Sequence, residues 1–202
     1  PLIAPVSYYM AEDFQGLGLW TLNNSPWLYL SINGYLNRPD VQREKKNDIS
    51  RFQKSSYYFA WYYFLAAGAS MYIDAASHFA NADASAFGNP QAYMANEKSA
   101  FFFSLLGSGS AHFYKGYRSW GYLYFHADNL LILGSLYYLQ TPEKRVDGSY
   151  VNKNTDKTAG YLLLGAAVGV RVVESFHANS LRFNIANGNY TSNSVNLTPL
   201  LY

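Results

Sequence analysis

The chain contains no cysteine. That excludes a disulfide framework, a thiolate metal site, a cysteine nucleophile and, within these residues, a lipidated N-terminal Cys. It suits a bacterial protein outside the cytoplasm. Charge is scarce as well: Asp, Glu, Lys and Arg make up 14% of the sequence, against roughly 25% in ordinary soluble domains. A net charge of +2 gives no field that would gather nucleic acid or acidic substrates, and no basic face of the nucleic-acid-binding kind is present. Motifs for chemistry are missing too. Gly107-Ser108-Gly109 lacks a strand–turn–helix setting and a closing Lys-Ser/Thr, so it is no phosphate loop. The run Gly107 to Ala111 has no acid–base partner beside it, so it is no nucleophile elbow. No two of the histidines 78, 112, 126 and 177 have a ligand spacing such as His-x-x-x-His. The expectation is therefore no enzyme, no cofactor and no bound metal.

Aromatic residues are abundant: 20 Tyr, 13 Phe and 4 Trp, 18% of the chain. Tyr and Trp have an apolar ring and a polar tip, so they favour places where oil meets water. A membrane interface and a large protein–protein interface both fit. The first residue is Pro1, so a matured or trimmed N-terminus is expected.

Along the chain, residues 1–50 hold no long apolar run and read as an irregular N-terminal extramembrane segment. Trp20 to Trp27 (WTLNNSPW) looks like a turn, and Trp27 to Ile32 like a short strand or interfacial helix. Asp48 is placed to cap the helix that follows. Residues 51–184 read as a helical membrane domain with four uncharged or nearly uncharged runs. Ser55–Ile73 has no charge over 19 residues, about 28 Å as a helix against a hydrocarbon core of about 30 Å. Ser99–Tyr114 is shorter. Ser119–Thr141 carries one charge, Asp128, and Pro142 closes it. Thr158–Val170 continues past Arg171 and Glu174 toward Phe183. Residues 185–202 form a polar tail read as extended. The fold expected is all-α, with about four transmembrane or membrane-embedded helices.

Buried core helices of a soluble bundle remain the alternative, since the mean hydropathy is only −0.15. Against it, a surface helix needs a polar residue every third or fourth position, and Ser55–Ile73 and Ser99–Tyr114 supply only Ser, Tyr and His. Four spans would place nine Lys/Arg on the side of the N-terminus and five on the other. In an inner membrane that predicts cytoplasmic termini; an outer membrane need not obey the rule.

Trp61–His78 and Tyr161–Ala178 echo each other at an offset of 100 residues: an aromatic start, small residues, an acid (Asp74, Glu174) and a histidine close behind (His78, His177). Internal repeats of this kind occur in membrane proteins. Residues 98–183 also resemble a bacterial two-helix membrane hairpin family, whose helices are joined by Pro-Gly-x-Gly-(Gln/His)-Phe-Tyr-x-Gly. Here Ser108-Gly109-Ser110-Ala111-His112-Phe113-Tyr114-Lys115-Gly116 keeps Gly109, His112, Phe113, Tyr114 and Gly116, with Ser108 for the Pro and Ala111 for the second Gly. The layout is similar to small helical, porin-like outer-membrane proteins of spirochaetes. That resemblance implies a helical envelope protein of structural or channel type, outer membrane favoured and inner membrane possible. Its partners would be the lipid bilayer and either further copies of itself or other membrane subunits. An accessory subunit of a redox or pigment complex and a soluble helical interaction domain stand as alternatives.

Site candidates follow from these readings. Gly107, Gly109 and Ala111 let helices approach closely, and Gly116 suits a tight turn. Tyr114, Tyr117 and Trp120 are expected at the headgroup level, with Lys115 and Arg118 in water. Asp128, with His126 two positions back, is a carboxylate in an apolar run, which is costly and marks function. It would line a water path, pair with His112 or Arg118, or sit in a helix break over His126–Asn129. His112 and His126 are expected to face each other across the hairpin.

Overall fold

The computed structural model describes residues 4–10, 14–45, 48–75, 97–141, 145–146, 149–150 and 157–181. These are almost entirely helical: α1 (Ala4–Met10), α2 (Phe14–Leu36), α3 (Pro39–Glu44), α4 (Arg51–Tyr62), α5 (Glu97–Leu106), α6 (Ser110–Tyr114), α7 (Arg118–Leu139) and α8 (Thr158–Ser180). α4 passes through one π-helical turn, Tyr63–Ala67, and is helical again over 68–75. A two-residue antiparallel ladder pairs β1 (Arg145–Val146) with β2 (Ser149–Tyr150) between α7 and α8. The all-α expectation holds. The polar tail over 185–202 and His78 lie outside the described residues.

The long helices pack in series. α2 lies on α4, α4 on α7, α7 on α8, and α5 on α8, with α6 touching α5, α7 and α8. An aromatic core joins α2, α4, α6 and α7 through Trp20, Trp27, Phe59, Tyr63, Phe113 and Phe125. α4 starts from a capping box: Ser50 Oγ accepts from the Gln53 amide while the Gln53 side chain accepts from the Ser50 amide. Ser50, not Asp48, is the cap.

The N-terminal segment is the main departure from the sequence reading. It is neither irregular nor a strand; α2 runs 23 residues with Pro26 inside it. Pro26 forfeits one backbone hydrogen bond, but tertiary contacts hold the helix across that point. Trp20 and Trp27 enter the core, Asn23 Nδ2 donates to the Leu19 carbonyl at 2.8 Å, and the Tyr63 hydroxyl donates to Asn24 Oδ1. Of the turn-forming residues Asn24 is buried and Asn23 half-buried, while Ser25 and Pro26 are on the exposed side.

Residues Ser99–Tyr114 are not one helix. α5 stops and α6 starts at Gly109, whose φ of 88° favours glycine, and Gly116 closes α6 with φ 84°. At Gly107 an added Cβ would lie 2.6 Å from the Ala66 carbonyl oxygen, so α4 and the α5–α6 junction meet backbone to backbone.

Polar and charged residues are buried beside the aromatic core, and large apolar side chains stay exposed. Fully buried positions include Asn24, Ser70, Asp74, His112, Asp128 and Glu174. The outward faces carry Tyr29 (74% exposed), Leu65 (75%), Leu162 (69%) and Phe176 (70%). Isolated exposed apolar residues are ordinary, but buried charges together with broad apolar faces are informative. Among the described residues one helix, α8, is long and apolar enough to cross a membrane, and only 22% of its apolar window is buried.

Candidate functional site

Three clusters, each centred on a buried carboxylate, run through the bundle. At the end of α4, Asp74 accepts at Oδ2 from the hydroxyls of Tyr8 (2.6 Å) and Tyr122 (3.0 Å), and at Oδ1 from Arg118 Nε (3.1 Å). Arg118 also donates to the Tyr8 hydroxyl and lies 4.8 Å from the centre of that ring. Midway along α7, Asp128 takes both arms of Arg171, at 2.9 Å and 3.3 Å, and the hydroxyl of Tyr62. Arg171 in turn donates to Tyr62 Oη at 3.1 Å. Burying one ion costs several kcal/mol unless charge and hydrogen bonds compensate; a forked guanidinium plus phenol does so.

The third cluster is built differently. Glu174 of α8 accepts at Oε2 from Ser108 Oγ (3.0 Å), and its Oε1 lies 3.5 Å from His112 Nδ1, with both side chains fully buried. His112 Nε2 meets His177 Nδ1 at 3.0 Å, and the Tyr124 hydroxyl is 3.2 Å from that same His177 nitrogen. The Tyr124 ring stacks on His112, and Trp120 sits edge-on to His177 at 4.7 Å. Among the described residues no guanidinium or ammonium pairs with Glu174.

The hydroxyl-to-acid pairings Tyr8–Asp74, Tyr62–Asp128 and Ser108–Glu174 all span 66 residues. The Arg-to-acid pairings span 44 and 43. Helices change role from cluster to cluster: α4 gives the acid to the first and the phenol to the second, α7 the base and then the acid, α8 the base and then the acid of the third. The echo between Asp74 and Glu174 thus links the first cluster to the third, with Asp128 between them.

The sequence candidates fall as follows. Asp128 is buried and paired, but with Arg171; Arg118 goes to Asp74 and His112 to Glu174. α7 is unbroken through His126–Asn129. His112 and His126 do not face each other: His112, on α6, meets Glu174 and His177 of α8, whereas His126, on α7, turns to α2, its Nδ1 accepting from Trp27 Nε1 at 2.8 Å and its Nε2 lying 2.8 Å from Asn23 Oδ1. Lys115 is not in water. It is 1% exposed and donates to the Leu181 carbonyl at 2.6 Å, where a cation complements the end of α8. Arg118 is likewise drawn inward by Asp74. Tyr114, Tyr117 and Trp120 are half-buried; Tyr114 packs on Phe103 at 4.5 Å. Ala111 is fully buried with Ala178, consistent with close helix packing. Arg171, Tyr62, Tyr8 and Tyr122 were not singled out by sequence. Their one signal is that an acid in an apolar run requires a partner.

Among the described residues no group of three or more His, Asp or Glu is arranged to hold a metal ion. The chain matches no protein-family model, no curated protein and no solved structure.

Proposed function

We propose that this chain is a small, non-enzymatic α-helical integral membrane protein of the bacterial envelope, structural or channel-type, acting as a homo-oligomer with the outer membrane as its favoured site. The combination of buried carboxylates with broad apolar outer faces carries the reading. In water the arrangement would leave Leu65, Leu162 and Phe176 bare while three carboxylates sit inside. In lipid the same arrangement is the economical one, because ionisable groups turn to the bundle interior and apolar side chains face hydrocarbon. Tyrosine lowers hydropathy scores yet partitions well to the interface. The absence of cysteine suits an extracytoplasmic location. On the outer side of α8, Gly165 and Gly169 have nothing within 4 Å of an added Cβ, which leaves room for a neighbouring helix at close range.

Membrane fractionation followed by mass determination of the intact assembly tests the proposal. Resistance to carbonate extraction, flotation with vesicles and a single-component oligomer are the expected results. Clean extraction into detergent-free buffer would overturn the membrane reading. Co-purification with other chains would replace the homo-oligomer by an accessory subunit.

A further inference from the structure

Two of the three buried carboxylates are neutralised by a guanidinium, which does not give up its proton. Among the described residues Glu174 has no such partner. Its contacts are the Ser108 hydroxyl and His112, and both Glu174 Oε1 and His112 Nδ1 lack a formed hydrogen bond although they lie 3.5 Å apart. From His112 the path continues to His177 at 3.0 Å. His177 is half-buried near the end of α8, and its Nε2 is not among the buried unpartnered atoms. We infer that Glu174, His112 and His177 form a proton relay, which carries a proton between the bundle surface and the buried Glu174 carboxylate.

The tautomers follow from the contacts. A bare His112 Nδ1 would set its lone pair against a carboxylate oxygen, so Nδ1 carries the proton and Nε2 accepts from His177 Nδ1–H. That leaves His177 Nε2 bare at the surface. A proton from water binds there. The Nδ1–H bond of His177 breaks as an N–H bond forms at His112 Nε2. The His112 Nδ1–H bond breaks as an O–H bond forms at Glu174 Oε1, once the 3.5 Å gap shortens to hydrogen-bond length. One proton has moved inward, and both imidazoles end neutral in the opposite tautomer. The Tyr124 hydroxyl, 3.2 Å from His177 Nδ1, serves both states: it accepts from Nδ1–H before transfer and donates to the bare nitrogen afterwards.

The surrounding charges leave this path open. Just past α6, Lys115 donates to the Leu181 carbonyl; from α7, Tyr124 is the one titratable contact among the described residues; on α8, Arg171 is held by Asp128; and α5 contributes the Ser104 hydroxyl, bonded to Ser175. The inference requires that the end of α8 carrying His177 meets water, whatever the middle of the helix faces.

The test uses the full chain purified in detergent micelles and taken by rapid mixing from about pH 8 to about pH 5, a range that brackets ordinary histidine titration. Infrared spectroscopy should show a protonated-carboxyl band that is absent in Glu174→Gln. In His177→Phe the band should rise about a hundred-fold more slowly, the scale of a lost proton-transfer group. In His177→Ala, added imidazole should restore the rate, which no merely structural role predicts. Should Glu174→Gln fail to fold, NMR of the histidine ring nitrogens in the unaltered protein decides. Both rings should switch from Nδ1–H to Nε2–H as the band appears. An unchanged rise in His177→Phe, or two doubly protonated imidazoles beside an ionised Glu174, would overturn the relay.

Discussion

Replacing Asp128 with Asn keeps the shape of the side chain and removes its charge. Arg171 then remains between α7 and α8 without a counter-ion, and the Tyr62 hydroxyl faces an amide. The Arg171 side chain is 23% exposed and Asp128 is 0% exposed, so solvent screens the orphaned cation only in part. Breaking such a pair from one side costs about 3–5 kcal/mol; partial exposure of Arg171 points to the lower end. At about 3 kcal/mol the folded-to-unfolded ratio falls roughly a hundred-fold. The double variant Asp128→Leu/Arg171→Leu removes both charges and should recover most of the loss, since apolar replacement of a buried pair is often neutral or better by about 1–4 kcal/mol. Equilibrium unfolding in micelles, followed by circular dichroism, measures all three proteins. A loss below about 1 kcal/mol in the single variant, the level of an exposed surface pair, would refute the reasoning. So would a double variant no more stable than the single one.

Three further expectations are independent of that pair. Val168, mid-way along α8 and 57% exposed, should resist charge: Val168→Asp should lower membrane insertion by about 2.5–3.5 kcal/mol if it faces lipid, whereas wild-type insertion and stability would count against a lipid-facing α8. Gly109→Ala should cost more than the about 1–2 kcal/mol of left-handed backbone alone, because the new Cβ falls 2.3 Å from the Gly121 carbonyl oxygen. A loss within that range in thermal unfolding would discount the contact. At the start of α3, the hydrogen bond from Arg38 holds the exposed Asp40 carboxyl below its usual value. Its small stabilising contribution is therefore present above the unfolded-state value and lost as pH falls through the folded-state one. Arg38→Gln should return the Asp40 NMR titration midpoint to the ordinary carboxylate range, and an unmoved midpoint would mean that the pair is not formed in solution.

The helices α4, α7 and α8 were legible because each contains a long uncharged run, and tertiary packing had nothing to contradict. α2 was not, because Asn23-Asn24-Ser25-Pro26 is local turn chemistry. Its buried stripe of Gly16, Trp20, Asn24, Trp27, Ser31 and Gly34 has helical spacing but mixes polar with aromatic residues, so no apolar period shows. In the site, Asp128 and the pair Asp74/Glu174 stood out as acids in apolar surroundings. Their bases did not, since a partner 43 or 44 residues away leaves no local trace. Lys115 and Arg118 were assigned to water by the usual behaviour of residues flanking a run; a helix end and a buried acid outcompete solvent for them.

The π turn in α4 has a consequence for how the first two clusters share that helix. Tyr62 and Asp74 are twelve positions apart, and at about 100° per residue a plain α-helix would aim them about 120° apart. One surplus residue in the wide turn absorbs about 100° of that angle, so both side chains present to α7. The bulge is thus a phase correction. Excising Leu65, which lies within it and faces outward, would convert the turn to ordinary α-helix and leave both acids paired. Excising any residue between 68 and 73 would swing Asp74 away from Arg118.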